Sequence, residues 1–327
     1  MSCGSIILAE PRGFPACGNE QTFSCVRVFL SAGRLASATN RSLHTWHVPR
    51  LSVLNLSAAV RAAPPRRLRN RFQDVACNEP PVLRLGSDVL QTLSSVALHS
   101  DLGLVTYTDE LLAQAERYAN ELLAGATYMA VNLRLEKIAS LPPSVHAAEA
   151  VVTALRQHAR LASSAVGGTR LLFLASDAAP GVDTSATLAC HNDGAFEPNF
   201  FANPGMCAVR RRSEATHLSI MEALRADGFD VRTVGLGAPG GEAGAAHIST
   251  TRNRAVLDHV LCLRASIWLD LTLLSHRGRE DSNRLFETSY YQAWIRERRR
   301  VEGRRLWRVP VVIKMPSRRR KMPSSRI

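Results

Sequence analysis

Two stretches, Tyr128-Met-Ala-Val-Asn-Leu-Arg134 and Leu171-Leu-Phe-Leu-Ala-Ser-Asp177, decide the fold of this 327-residue chain. Each is a largely apolar run about as long as one strand, and each ends in a charged residue. A strand that is apolar on both faces is typical of a parallel sheet covered by helices. The two stretches therefore predict buried parallel strands with polar groups at their carboxyl ends, where the ligands of such sheets bind.

Segments with helical periodicity alternate with these strands. Thr108 is placed to cap a helix whose first turn contains Asp109 and Glu110 and which ends at Gly125. This alternation predicts an α/β fold, a Rossmann-like parallel sheet with helices on both faces. The remaining predicted elements are helices after Pro142-Pro143, over Ser213–Asp227 and over Arg252–Arg264, strands over Phe229–Leu236 and Ser266–Leu271, and a loop over 178–208.

The net charge of +13 is concentrated near the end of the chain. Residues 296–326 contain 13 Lys and Arg against two Glu, whereas the rest of the chain carries a net charge of only +2. We therefore expect a basic, disordered tail over 296–327 and an α/β domain over 81–295. Weak periodicity predicts a poorly ordered or divergent segment over 1–80, with short strands at Val26–Leu30 and Leu51–Leu54.

Neither a metal site nor a membrane span is expected from the sequence. The seven cysteines form no C-x-x-C pair, and the histidines show no ligand spacing. No apolar run reaches the roughly 18 residues that a transmembrane helix needs. The first 25 residues also lack the layout of a secretory signal.

Three stretches resemble the protein O-fucosyltransferase family, including its plant branch, in their order and spacing. Tyr128–Lys137 is similar to the family's strand ending in His-x-Arg, and Leu171–Asp177 to its later strand ending in Thr-Asp. Leu257-Asp-His-Val-Leu-Cys-Leu-Arg-Ala265 is similar to a family helix that begins Val-Asp-Leu. The resemblance extends from Thr108 to Arg279 and implies the nucleotide-sugar half of a GT-B glycosyltransferase, within the predicted domain 81–295.

The resemblance implies fucosyl transfer from GDP-fucose, the donor substrate, to a protein or glycan hydroxyl, with no cofactor required. It also implies the secretory pathway. A GT-B enzyme needs an acceptor-binding domain before the His-x-Arg strand, so the N-terminal domain is expected to be short or incomplete. Asn132 stands where the family has His, and an amide cannot carry a proton at neutral pH.

Arg134 and Asn132 are the catalytic candidates, and Asp177 is a nucleotide-binding candidate. A planar guanidinium matches phosphate oxygens and stabilises the charge that develops on a diphosphate leaving group. The alternative for Arg134 is an ion pair with Glu136 or with a helix C-terminus. Asp177 either accepts a hydrogen bond from a base or ribose, or caps the next turn.

Three further residues are predicted to bind the nucleotide because of where the resemblance places them. Ser275 and His276 fall in the family's Ser-Ser-Phe turn, in which only the middle Ser is retained. Ser275 would hold phosphate or, alternatively, cap a helix. Asp258 falls close to the nucleotide in the family, or is an ordinary acid near a helix N-terminus.

Two other classes of function compete with glycosyl transfer. One is weak, nonspecific binding of nucleic acid or an acidic surface through the basic residues 296–327. The other is an interaction protein with the same α/β domain and impaired catalysis. Asn132 and the short N-terminal region support this alternative. Both alternatives leave the predicted fold unchanged.

Overall fold

A computed structural model of the chain describes residues 5–8, 32–33, 36, 42–44, 54–55, 82–85, 103–141, 146–178, 204–233, 251–275 and 290–313. The chain divides into two compact units. Unit 1 comprises Met1–Ala126, Ala238–Arg264 and Ser289–Arg305, and unit 2 comprises Thr127–Gly237, Ala265–Thr288 and Leu306–Ile327. The sequence predicts a single domain over 81–295, whereas the structure assigns parts of that range to each unit.

The elements in the described ranges run, in chain order, β1 (Ser5–Leu8), β2 (Ser42–His44), β3 (Leu54–Asn55), β4 (Val82–Leu85), β5 (Thr106–Tyr107), α1 (Asp109–Leu123), β6 (Met129–Leu133), α2 (Leu135–Ala139), α3 (Ala147–Ala165), β7 (Leu171–Ser176), α4 (Pro204–Ala226), β8 (Asp230–Arg232), α5 (Thr251–Arg264), β9 (Ile267–Ser275), α6 (Tyr290–Val301) and β10 (Arg305–Ile313). None of these helices is long and apolar enough to cross a membrane.

Unit 2 is built on a five-stranded sheet with the strand order β10-β9-β6-β7-β8. The pairs β9–β6, β6–β7 and β7–β8 are all parallel. Met129 pairs with Leu172 on one side and with Ile267 on the other. The predicted α/β class with a parallel sheet is therefore confirmed.

The core of unit 2 lies between one face of this sheet and helices α3 and α4. Apolar side chains of β6, β7, β9 and β10 pack there against Val151, Leu155, Ile220 and Leu224 of the two helices. The opposite face of the sheet is also buried, as Phe173 illustrates. Burial on both faces explains why β6 and β7 are nearly continuous apolar runs in the sequence.

Local sequence signals predict most of these elements correctly. Helix α1 begins after Thr108, which occupies the N-cap position without a side-chain capping hydrogen bond, and ends where Ala124 and Gly125 adopt the left-handed conformation, with φ of 50° and 67°. Helix α4 is the exception, because it begins at Pro204 and not at the predicted Ser213. The Ser213 hydroxyl donates to the Val209 carbonyl oxygen within the helix, so it does not act as an N-cap.

Unit 1 contains two small sheets in its described residues. Strands β2, β1 and β4 form a parallel sheet in that order, in which Ser5 pairs with Ser42 and with Val82. Strands β3 and β5 pair antiparallel, which places a strand at the end of the predicted segment Leu51–Leu54. The predicted strand Val26–Leu30 lies outside the described residues. Residues 1–85 therefore contribute a parallel sheet for which the sequence gives only weak signals.

A second core, in unit 1, joins α1, α5 and α6. Tyr107, Leu111, Leu257 and Trp294 are among its buried members. The Tyr107 hydroxyl and Nδ1 of His259 are hydrogen-bonded at 2.5 Å, and the His259 ring lies 4.4 Å from the Trp294 ring. Burial lowers the pKa of His259 to about 3, so this histidine is a neutral core residue at physiological pH.

The prediction of a disordered tail from residue 296 is wrong for residues 296–313. Arg296 to Val301 continue helix α6, and β10 adds an edge strand whose Val309, Val311 and Ile313 are buried in the core of unit 2. The run of arginines concealed this, because the two arginines of β10 lie in its exposed first half, while buried side chains alternate with more exposed ones from Val309 to Ile313. Several arginines are also paired, including Arg298 and Arg304, which both contact Glu302.

Arg299 is a structural residue within this supposed tail. Its side chain is completely buried and donates to the carbonyl oxygens of Cys262, Leu263 and Arg305 at 2.7–3.0 Å. Because Cys262 and Leu263 lie in the last turn of α5, the guanidinium satisfies carbonyls that the helix itself leaves without partners.

Arg299→Met is expected to lower the free energy of unfolding by about 3 kcal/mol, since it leaves buried carbonyl oxygens without a donor. The measurement is chemical denaturation of the full chain. Arg300→Met is the matched control, because Arg300 is exposed and pairs only with Glu297 of its own helix among the contacts described. Equal stability of the two variants would contradict a structural role for Arg299.

Candidate functional site

The candidate site lies at the carboxyl ends of β6 and β7, which form the carboxyl edge of the sheet. These strands are parallel neighbours, and Leu133 is in register with Ser176. The next residues along the chain, Arg134 and Asp177, therefore leave the sheet side by side. The Asp177 N–H also donates to the Leu133 carbonyl oxygen at 3.3 Å, which extends the ladder by one bond beyond the strands. Two of the sequence-predicted site residues are thus brought together.

Arg134 and Asp177 form an ion pair at this edge. The Arg134 Nε atom lies 3.3 Å from Oδ2 of Asp177, and the two side chains are 25% and 13% exposed. The other carboxylate oxygen, Oδ1, accepts a hydrogen bond of 2.7 Å from the Leu135 N–H at the start of α2. Asp177 thus pairs electrostatically with the side chain of Arg134 and holds the main chain that follows it through a hydrogen bond.

The electrostatic state of Asp177 is unusual for a carboxyl group. Burial raises its pKa to about 7, Arg134 and the N–H groups of α2 act in the opposite direction, and Glu136 raises it further. A carboxyl with this pKa exchanges its proton near neutrality, while an ordinary aspartate is fully ionised there. Perturbed carboxyls of this kind cluster at functional sites, although structural networks also produce them.

Arg210, in helix α4, is a site residue that the sequence did not indicate. It is buried and donates from Nη1 to the Asp177 carbonyl oxygen and from Nε to Glu214, both at 2.7 Å. Its Nη1 atom also lies 3.6 Å from Oε1 of Glu136. Arg210 was missed because the predicted helix began three residues after it. The available signal was the run Arg210-Arg-Arg212, which resembles an ordinary solvated face.

The sequence-based alternative for Arg134, a pair with Glu136, is replaced by the pair with Asp177. Glu136 instead faces Arg210, and α2 is further fastened to α4 by Arg212, whose Nε donates to the Ala139 carbonyl oxygen at 3.1 Å. The segment that follows Arg134 is therefore tied to α4 by two arginines. This fastening restricts the backbone from which the Arg134 side chain extends.

Asn132 lies within strand β6 and not beyond its carboxyl end. It is only 9% exposed and alternates with Val131 and Leu133, so it faces away from the core formed with α3 and α4. Extending the register between β6 and β9, in which Val131 pairs with Leu269, places Asn132 beside the buried Asp270. The sequence did not indicate Asp270, because it lies within an otherwise apolar strand.

The other predicted nucleotide-binding residues are not brought to this edge by the described contacts. Ser275 is the last residue of β9, the strand on the other side of β6, and His276 lies outside the described residues. Asp258 belongs to unit 1 and lies in the middle of α5, seven residues after Thr251. Asp258 is therefore not an acid near the helix N-terminus. Burial raises the pKa of the Cys262 thiol, and the nearby Asp258 raises it further.

Charge defines what this edge can bind. The guanidinium groups of Arg134 and Arg210 and the carboxyl groups of Asp177, Glu136 and Glu214 form one connected cluster. Arg210 is buried, and its Nε and Nη1 atoms contact these partners, while Arg134 keeps a quarter of its side chain exposed. Arg134 is therefore the cation of this cluster that is placed to meet an anionic ligand. Among the described residues, no group of three His, Cys, Asp or Glu side chains is arranged to hold a metal ion.

The fold and this edge together define an α/β protein with a charged cluster at the carboxyl ends of parallel strands. No protein-family model matches the chain, and no curated protein sequence matches it. The crystal structure of POFUT1 in complex with GDP superposes with a TM-score of 0.48 at 11% identity, over 96% of this chain and 99% of that chain. The fucosyltransferase NodZ from Bradyrhizobium gives a TM-score of 0.34 at 13% identity, over 90% and 93% of the two chains. At these scores and identities the likeness assigns neither a family nor an activity to this chain.

Proposed function

We propose that this protein is a glycosyltransferase that transfers a fucosyl group from GDP-fucose to a protein or glycan hydroxyl. The observation that carries the proposal is the position of Arg134, partly exposed at the carboxyl edge of a parallel sheet and oriented by Asp177. Ligands of open parallel sheets bind at this edge. The resemblance of the stretches ending in Arg134 and Asp177 to the O-fucosyltransferase strands supplies the choice of donor.

Arg134 is assigned the chemical role in this proposal. Transfer breaks the bond between the sugar and a diphosphate, so negative charge develops on the leaving phosphate oxygens in the transition state. A preorganised guanidinium stabilises that charge with a permanent cation and a planar pair of donors. The fastening of α2 to α4 contributes to this preorganisation, because it limits the movement of the backbone next to Arg134.

The nucleotide is proposed to extend from this phosphate position along the same edge. Ser275, at the end of β9, and the adjacent His276 are proposed to contact the phosphates. These two assignments rest on the sequence resemblance. The proposal requires no metal or other cofactor, because Arg134 supplies the positive charge that the leaving group needs.

A second candidate function, an interaction protein with impaired catalysis, is favoured by one specific observation. Asn132 replaces the family's His, cannot carry a proton at neutral pH, and is almost completely buried. This candidate predicts nucleotide binding without sugar transfer or hydrolysis. Measuring the release of fucose from GDP-fucose, with and without candidate acceptors, separates the two functions.

GDP-fucose and GDP are expected to raise the melting temperature of the full chain more than UDP or ADP compounds. A ligand at 100 times its dissociation constant stabilises the native state by about 2.7 kcal/mol. The measurement is a thermal-shift series with the three nucleotides and their sugars at equal concentrations. Equal shifts with all three nucleotides, or none, would exclude the proposed donor.

A further inference from the structure

We propose that Asp177 is a positioning residue that holds Arg134 in place and takes up a proton when a diphosphate replaces it at the guanidinium. The inference deepens the proposed function, on which its nucleotide arm rests. It is carried by the geometry of the cluster. Oδ2 of Asp177 lies 3.3 Å from Nε of Arg134, and Oδ1 accepts a hydrogen bond of 2.7 Å from the Leu135 N–H, so the carboxylate lies against the Nε side of the guanidinium.

The charge of the cluster provides the first argument. With Asp177 ionised, the two guanidinium groups of Arg134 and Arg210 face three carboxylates, those of Asp177, Glu136 and Glu214. The described cluster then has a net charge of −1 and would repel an incoming diphosphate. A proton on Asp177 makes the cluster neutral and leaves Arg134 without an anionic competitor. Binding of an anion and protonation of Asp177 therefore favour each other.

The surroundings of Asp177 provide the second argument. Its carboxyl group faces Arg134, which follows β6, and the N–H groups of α2, while Glu136 lies nearby on α2 and Arg210 binds its carbonyl oxygen from α4. Arg134 is the charged residue that holds the pKa of this carboxyl down, against the effects of burial and of Glu136. An anion that neutralises Arg134 removes that restraint, so the pKa of Asp177 rises on binding.

Binding of an anion is linked to proton uptake by Asp177. The carboxyl has a pKa of about 7 without ligand and a higher pKa with the anion bound, so the complex holds more protons than the free protein around neutrality. Affinity for the anion therefore increases as the pH falls from the higher pKa towards 7, and levels off below the lower one. A site in which Asp177 stays ionised would show no such dependence.

Isothermal titration of the full chain with GDP-fucose near pH 7, in buffers of different ionisation enthalpy, measures this proton uptake directly. GDP-fucose is the suitable probe because its diphosphate is esterified at both ends and carries no terminal phosphate proton that titrates near neutrality. We expect an uptake of about half a proton per bound nucleotide sugar. Binding with no dependence on the buffer would overturn the proposal.

Two aspartate variants make the measurement specific. Asp177→Asn is expected to bind GDP-fucose with no proton uptake, because the amide does not titrate and still accepts a hydrogen bond from Leu135. Asp230→Asn is the matched control. Asp230 is also ion-paired with an arginine, Arg232 at 2.8 Å, but it lies at the start of β8, at the amino edge of the same sheet. Proton uptake that persists in Asp177→Asn, or that disappears in Asp230→Asn, would contradict the assignment.

An experiment without nucleotide separates this inference from the proposed function. Carbon-13-labelled aspartate reports the pKa of Asp177 by NMR, with its signal identified through Asp177→Asn. We expect Arg134→Met to raise this pKa, and sulfate, an anion that does not titrate in this range, to raise it in the wild-type chain but not in Arg134→Met. If GDP-fucose fails to bind while these shifts occur, the donor assignment fails and the Arg134–Asp177 linkage stands. If neither shift occurs, the linkage itself is wrong.

Discussion

Arg134→Ala is expected to reduce fucosyl transfer from GDP-fucose by roughly 30-fold to 1,000-fold, equivalent to about 2–4 kcal/mol of transition-state stabilisation. The reason is that the guanidinium at the end of β6 is proposed to neutralise the charge on the leaving diphosphate. The measurements are kcat/KM for transfer or hydrolysis, the affinity for GDP, and the melting temperature of the full chain.

Arg134→Lys is expected to restore little of this loss, because an ammonium group cannot reproduce the planar pair of donors. The matched control is Arg232→Ala, which removes an arginine that pairs with Asp230 at the opposite edge of the sheet. The control should leave transfer unchanged. If Arg134→Ala binds GDP normally but melts many degrees lower, Arg134 is a structural partner of Asp177 and the site assignment is wrong.

Val311→Asp is expected to lower the free energy of unfolding by more than about 4 kcal/mol, because it buries a carboxylate without a partner and removes apolar packing. Val311 is completely buried in the core of unit 2, on strand β10. Chemical denaturation of the full chain, followed by circular dichroism, measures the change.

Val312→Asp is the control for this experiment. Val312 is the next residue of the same strand and is 55% exposed, because successive side chains of a strand point to opposite sides. Its replacement should change stability by less than about 0.5 kcal/mol. Similar effects of the two substitutions would mean that β10 does not pack as an ordered edge strand, and would restore the original interpretation of a basic tail.

Much of the fold of unit 2 could be predicted from local sequence. The apolar runs of β6 and β7 and the capping residue type at Thr108 are signals within a few residues, and each identifies its element, although the Thr108 side chain makes no capping hydrogen bond. The pairing of Arg134 with Asp177 followed partly from the same signals, because both residues come directly after a predicted strand. That β6 and β7 are neighbours depends on topology, which the sequence left open.

The tail shows where local signals fail. Thirteen basic residues in 296–326 indicate a solvated segment. However, the buried Arg299 donates hydrogen bonds to three carbonyl oxygens, and β10 supplies three core side chains. Charge density describes the average environment of a segment. It does not show that one guanidinium has buried acceptors or that alternate residues of a basic strand face a core.

The sequence by itself determined the α/β class, most helices and strands of unit 2, and the identity of Arg134 and Asp177 as strand-end residues. Only the tertiary structure decided that Arg134 pairs with Asp177, that Arg210 reaches this edge from α4, and that Asp258 belongs to the other unit. The physical reason is the range of the interactions. Periodicity and capping act over about one to four residues, whereas the Arg210–Asp177 hydrogen bond joins residues 33 positions apart. The burial that raises the pKa of Asp177 likewise arises only when separate segments pack together.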